Sequence, residues 1–165
     1  MRKLIGGRQT AGPAPPTHAG RETTLRAVLD DLSRAAPLDA RLDIAKRLLT
    51  AVARLHERER VHGCLDPSAI RLRGVRSFRV ALTPDDEEPQ SGIRDTRYAP
   101  PEGERSMHGD VYALGAILRE LLVDAPPTVM AVLDVMVETN PQARYATAQV
   151  AMCAFARAAP SSCEA

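Results

Sequence analysis

The sequence predicts a mainly α-helical domain carrying one small β-hairpin, on three observations. Apolar residues recur at i, i+3, i+4 and i+7 through several stretches, most strongly over residues 42–55. Two short strand-like runs, 70–72 and 78–82, flank the tight-turn sequence Arg73-Gly74-Val75-Arg76. Pro37, Pro126-Pro127 and Asn140-Pro141 then divide the helical pattern into pieces of globular length.

Residues 1–22 are rich in Gly and Pro, with Pro13, Pro15 and Pro16 close together. Such a segment buries too little apolar surface to offset its ordering entropy, so a flexible tail is expected, with a short extended piece near 3–5. An N-terminus of this kind is also found on bacterial type III secretion substrates. Thr23 or Thr24 is placed to cap a first helix with Leu25, Val28, Leu29 and Leu32 on one face. Asp39 is expected to cap a longer helix carrying Leu42, Ile44, Ala45, Leu48, Leu49, Val52 and Leu55. Its opposite face (Arg41, Arg47, Arg54, Arg58) reads as a solvated basic surface with local Glu pairs. Asp85-Asp86-Glu87-Glu88 repel one another and lack a spaced partner, so they read as a solvated acidic loop and not as a metal site. Asp110 opens a helix with apolar residues on more than one face, as in a buried helix. Thr128 caps the next helix, Thr147 starts the last, and residues 159–165 are expected to fray. The folded domain is thus expected over residues 23–158.

The 165 residues suit one domain with one core. A net charge of +1 gives no bias toward nucleic acid or acidic substrates. No stretch approaches the ~18 apolar residues of a membrane span, and Gly6-Gly7-Arg8 after Leu4-Ile5 leaves no signal-peptide core. Cys64, Cys153 and Cys163 share no metal or redox spacing, so three free thiols in a reducing, cytoplasmic setting are expected. His18, His56 and His108 share no metal-ligand pattern.

Residues 61–70 read Val-His-Gly-Cys-Leu-Asp-Pro-Ser-Ala-Ile. This stretch resembles the catalytic loop of protein kinases, His-Arg-Asp-Leu-Lys-Pro-x-Asn-Ile, and His62, Leu65, Pro67 and Ile70 fit the pattern. Further matches follow in order. Pro100-Pro101-Glu102 resembles the Ala-Pro-Glu that ends the activation segment, residues 110–122 resemble the family's buried central helix, and Asn140-Pro141-Gln142-Ala143-Arg144 resembles the segment before the final helix. The resemblance covers residues 23–157. It implies a protein kinase-like C-terminal lobe, bacterial Ser/Thr kinase-like, with the N-terminal lobe absent. It also implies structural roles: a buried ion pair between Glu102 and Arg144, Asp110 accepting hydrogen bonds from the backbone near His62 and Gly63, and an inward-packed His62. Losing either partner of a buried pair costs roughly 3–5 kcal/mol.

The chemical positions do not match. Phosphoryl transfer needs a carboxylate to orient the hydroxyl, metal ligands on the phosphates and an anchored Lys. The family's Arg is Gly63, its catalytic Asp is Cys64, its Lys is Asp66 and its metal-binding Asn is Ala69. Leu82-Thr83-Pro84 stands where Asp-Phe-Gly belongs, and about twenty residues precede the first helix, without a Gly-x-Gly-x-x-Gly. With no base at a set spacing, Cys64 reads as a buried inert thiol.

These residues imply a catalytically inactive, truncated pseudokinase with no cofactor and no metal, retained as a protein-interaction or regulatory module. Apolar residues near Leu25, Leu72 and Leu82, normally covered by an N-lobe, are expected to be bare. They would receive a protein partner, a second copy or the N-terminal tail; nucleic acid and membrane are not expected. The alternative is an atypical Ser/Thr kinase-like enzyme or nucleotide-binding protein whose acids are relocated to Asp66, Asp85 and Asp86. A remnant without a selected role is a third reading, which the intact helical patterns oppose.

Overall fold

The computed structural model describes residues 22–32, 36–73, 79–82 and 95–159. In chain order these form β1 (Glu22–Thr24), α1 (Leu25–Leu32), α2 (Leu38–His56), β2 (Ile70–Arg73), β3 (Arg79–Leu82), α3 (Met107–Leu121), α4 (Pro127–Met136) and α5 (Ala148–Ala158). Short 3-10 turns at Thr96–Tyr98 and Pro141–Ala143 precede α3 and α5. The expected tail before residue 22, the turn at 74–78, the acidic loop 85–92, Thr83-Pro84, His18, Cys163 and the end beyond Ala159 lie outside the described residues. No described helix is long and apolar enough to cross a membrane.

The fold is mainly α with a small antiparallel sheet. The expected hairpin forms, with Ile70 opposite Leu82 and Leu72 opposite Val80, and β1 adds a third strand by pairing Thr23 with Leu72. A three-residue strand is too short for an alternating pattern to show, so β1 was not legible. It begins at Glu22, inside the stretch read as tail. Ala159, placed in the fraying end, is 7% exposed.

Helix ends differ from expectation in an instructive way. Thr24 Oγ1 accepts from Ala27 N at 3.3 Å and Thr147 Oγ1 from Val150 N at 3.4 Å, so both cap as threonines do. Asp39 and Thr128 do not cap: α2 and α4 start behind Pro37 and Pro126, whose extended ψ sets the entry. Thr128 Oγ1 instead donates to Ala158 O. Helix α3 starts at Met107 with Ser106 Oγ accepting from Gly109 N, which places Asp110 inside its first turn.

The core gathers the apolar stripes of α2, α3 and α5, with Leu48, Leu49, Leu114, Ile117, Leu118 and Phe155 buried. Helices α3 and α4 cross closely at Gly115, where a Cβ would stand 2.6 Å from Met136 Cβ. Two expectations are corrected here. Leu25 and Leu72 are 0% exposed. They belong to the lobe's own core, because β1 covers the edge of β2 and Arg26 N donates to Pro67 O. Leu82 is half-buried. Arg41 is not on a solvated face. At 5% exposure it donates to both oxygens of Asp124 (2.6 and 2.8 Å) and to Leu121 O, since residues 41, 45, 48 and 52 share one helical face. Arg47 pairs with Asp43, four residues before it.

Candidate functional site

The loop after α2 is held from beneath by one carboxylate. Asp110, 1% exposed, accepts from His62 N at 2.7 Å through Oδ2 and from Gly63 N at 2.8 Å through Oδ1. Its Oδ2 also lies 3.0 Å from His56 Nε2. His56 Nδ1 accepts from Ala148 N, the first residue of α5, at 3.1 Å. An acceptor Nδ1 carries no hydrogen, so the network assigns the proton to Nε2, which donates to Asp110. One histidine thereby joins α2, α3 and α5 behind the loop. The sequence signal for it was periodicity: His56 follows Leu49 and Val52 on the apolar face of α2.

Beyond His62, which is itself buried, the chain turns at Gly63, whose φ of +78° favours glycine. The space above Gly63 is filled by Arg105, with Nε 2.4 Å from where a Cβ would stand, and Arg105 Nη2 donates to His62 O. Leu65 and Pro67 then point into the core, so the alternating residues Cys64 and Asp66 face outward. Cys64 is therefore half-buried and lines a pocket, contrary to its reading as a buried thiol. Its Sγ lies 4.0 Å from His62 O. Asp66 Oδ1 accepts from Ser68 N at 2.6 Å and Ala69 N at 3.1 Å, the local turn that short acidic side chains favour.

The segment before α3 forms the other wall. Arg144 Nη1 and Nη2 donate to the two oxygens of Glu102, each at 2.8 Å. The same guanidinium donates to Glu138 O, His108 O and Thr139 O, so all five of its N–H groups are engaged, and it stacks 4.8 Å from the Tyr112 ring centroid. Hydrogen bonding from Arg144 holds the Glu102 carboxyl below the usual carboxylate range. Tyr98 receives a hydrogen bond from Arg26 and donates one to Glu120, tying α1 and the 3-10 turn to α3. Burial, with the Glu120 bond, pushes the Tyr98 phenol up to about 12. Asp95 is paired bidentately with Arg97 and held at about 2 by those hydrogen bonds.

Between the walls lies a pocket of about 180 Å³ lined by Cys64, Asp66, Tyr98, Pro100 and Glu104 among others. The structure thus brings the degenerate positions Cys64 and Asp66 into one pocket, and gathers His62, Asp110, Glu102 and Arg144 into the frame that holds it. Ala69 contributes backbone only, on the turn leading into β2. Sequence reasoning missed His56, Arg41, Tyr98 and Arg105, whose partners lie far along the chain. Among the described residues, no three His, Cys, Asp or Glu side chains are grouped to share a metal ion.

An extended loop locked to the first turn of a buried helix, a small sheet after it and a Glu–Arg clamp closing the next segment define a protein kinase-like fold, that of the helical C-lobe. The kinase domain of Mycobacterium tuberculosis PknI superposes with a TM-score of 0.65 at 20% identity, over 84% of this chain and 63% of that one. A second crystal structure of that domain gives 0.63 at 19% identity, over 83% and 62%, and a double-mutant form gives 0.64 at 18%, over 84% and 63%. At such identities the likeness is one of fold, and this chain spans less than two thirds of those domains. No protein-family model matches the chain, and no curated protein matches it by sequence.

Proposed function

We propose that this chain is a catalytically inactive, kinase-like lobe that serves as a protein-interaction or regulatory module in a bacterial cytoplasm. The observation that carries the reading is the division of labour in the 61–70 loop. Every group that holds the loop is paired: Asp110 with two amides and His56, and Arg144 with Glu102. The groups facing the pocket are a thiol at the family's carboxylate position and a carboxylate at its Lys position. The frame supports the loop, while Cys64 and Ala69 replace the carboxylate and the amide that the family uses on the hydroxyl and the metal. Cys64 and Cys153 are not joined in a disulfide, which suits a reducing compartment. Partner binding rests on the pocket and its rim, since Leu25 and Leu72 offer no bare apolar surface.

Thermal unfolding with ATP and Mg²⁺ or Mn²⁺, paired with a phosphotransfer assay, tests this. The proposal expects neither stabilisation nor transfer. A nucleotide at 100 times its Kd would stabilise by ~2.7 kcal/mol, and such a shift would favour the rearranged nucleotide site instead.

A further inference from the structure

We propose that the pocket beside Cys64 receives a cationic side chain, Lys or Arg, presented by an extended segment of a partner protein. The inference rests on the interaction-module reading and names the occupant of that site. Among the described residues four carboxylates line the pocket, and two of them are satisfied internally. Asp110 is taken by His62 N, Gly63 N and His56, and Asp95 by Arg97. The other two, Asp66 and Glu104, have no cationic partner among the described residues. Only Asp66 Oδ1 is engaged, by the amides of Ser68 and Ala69. The neighbouring cation, Arg105, is turned onto Gly63 and His62 O. Two carboxylates therefore share a concave site whose remaining wall, formed by Tyr98, Ala99 and Pro100, is apolar.

That combination suits a long cationic side chain. Its methylene stem lies on the apolar wall while its head meets the carboxylates. A cavity of about 180 Å³ has room for one long side chain. The sign of the site also discriminates. With Asp66 at the position where the family carries Lys, a phosphate or an acidic segment meets repulsion. Occupancy by a neutral peptide would desolvate two carboxylates without recompense.

The test is an amide NMR titration of the full chain with the blocked pentapeptide Ala-Ala-Arg-Ala-Ala, its citrulline counterpart and its phosphoserine counterpart. The Arg peptide is expected to shift the amides of Leu65, Asp66, Gly103 and Glu104 saturably. Citrulline should bind about tenfold more weakly and phosphoserine not at all. Asp66→Asn keeps the Oδ1 acceptor for the turn, and Glu104→Gln alters an exposed residue, so both should keep a folded spectrum; each should weaken binding about fivefold, the size of an exposed ion pair. Equal binding of the citrulline peptide, shifts mapping to another surface, an unchanged Kd in the double variant, or no saturable shift at millimolar Arg peptide would overturn the proposal. ATP with Mg²⁺ is added to the same sample as a separate arm. No response to it, alongside a failed peptide titration, removes the cation pocket and leaves the interaction module standing. A nucleotide response removes the module reading itself.

Discussion

Replacing Asp110 by Ala removes the acceptor that three donors share. Two of them, His62 N and His56 Nε2, are buried, at 2.7 and 3.0 Å from Oδ2. The third, Gly63 N, is partly buried and has access to water. An orphaned buried donor costs about 1–3 kcal/mol, so the two buried ones set the loss at about 4 kcal/mol. Against a domain stability of ~5–15 kcal/mol this is a large share. Asn is milder. Turned so that its oxygen faces His62 and His56, it sets its NH₂ against Gly63 N–H alone, a loss of about 2 kcal/mol. For a chain of this size each kcal/mol moves Tm by ~2–4 °C, which places Asn several degrees and Ala about ten degrees or more below the parent. Equilibrium urea unfolding followed by circular dichroism measures both, and a cycle with His56→Ala isolates the imidazole–carboxylate bond. Because that bond is already gone, Asp110→Ala should cost less in the His56→Ala background, by about 1–3 kcal/mol. If both Asp110 variants fall within about 0.5 kcal/mol of the parent, or the cycle shows no coupling, Asp110 is not the anchor of the loop.

Three further outcomes are expected. Because Arg144 holds Glu102 below the ordinary carboxylate value of 4.5, the pair stabilises the fold above that pH and its contribution is lost as pH falls through the lowered folded value. Glu102→Gln should flatten that acid arm in a pH series of urea midpoints. The Tyr98 phenol is raised from 10.0 to about 12, so its contribution is complete below pH 10 and lost as pH rises toward 12; Tyr98→Phe should flatten the alkaline arm in the same series. Gly63→Ala should destabilise by about 1–2 kcal/mol from its left-handed backbone alone, measured by urea unfolding, while displacing Arg105 from the loop. Arg105→Ala, which opens that space, should leave the backbone part of the cost unchanged.

The long amphipathic runs of α2 and α3 were legible because burial imposes a period of 3.6 on consecutive residues. The Glu102, Asp110 and Arg144 positions were legible because they sit in motifs of fixed order. What stayed hidden depends on distant contacts. Arg41 looks basic and exposed until Asp124, 83 residues away, arrives beside it. The strand β1 is defined by its neighbour β2 more than by its own three residues. The bare apolar surface expected near Leu25 and Leu72 assumed that only a second lobe could cover them, whereas β1 and the start of α1 cover them locally. In the pocket, residue identities were readable, but their exposure was not. The outward turn of Cys64 and Asp66 follows from the neighbouring Leu65 and Pro67 taking the inward places.

The bond from Ala148 N to His56 Nδ1 spans 92 residues. A ribosome adding ~5–20 residues per second needs roughly 5–20 s to cover that stretch. Throughout that interval α2 lacks the helix that completes its buried face, and over the last 42 residues before Arg144 Glu102 lacks its partner as well. The lobe therefore closes only when its last helix is released, because α5 supplies the other side of the face that α2 buries.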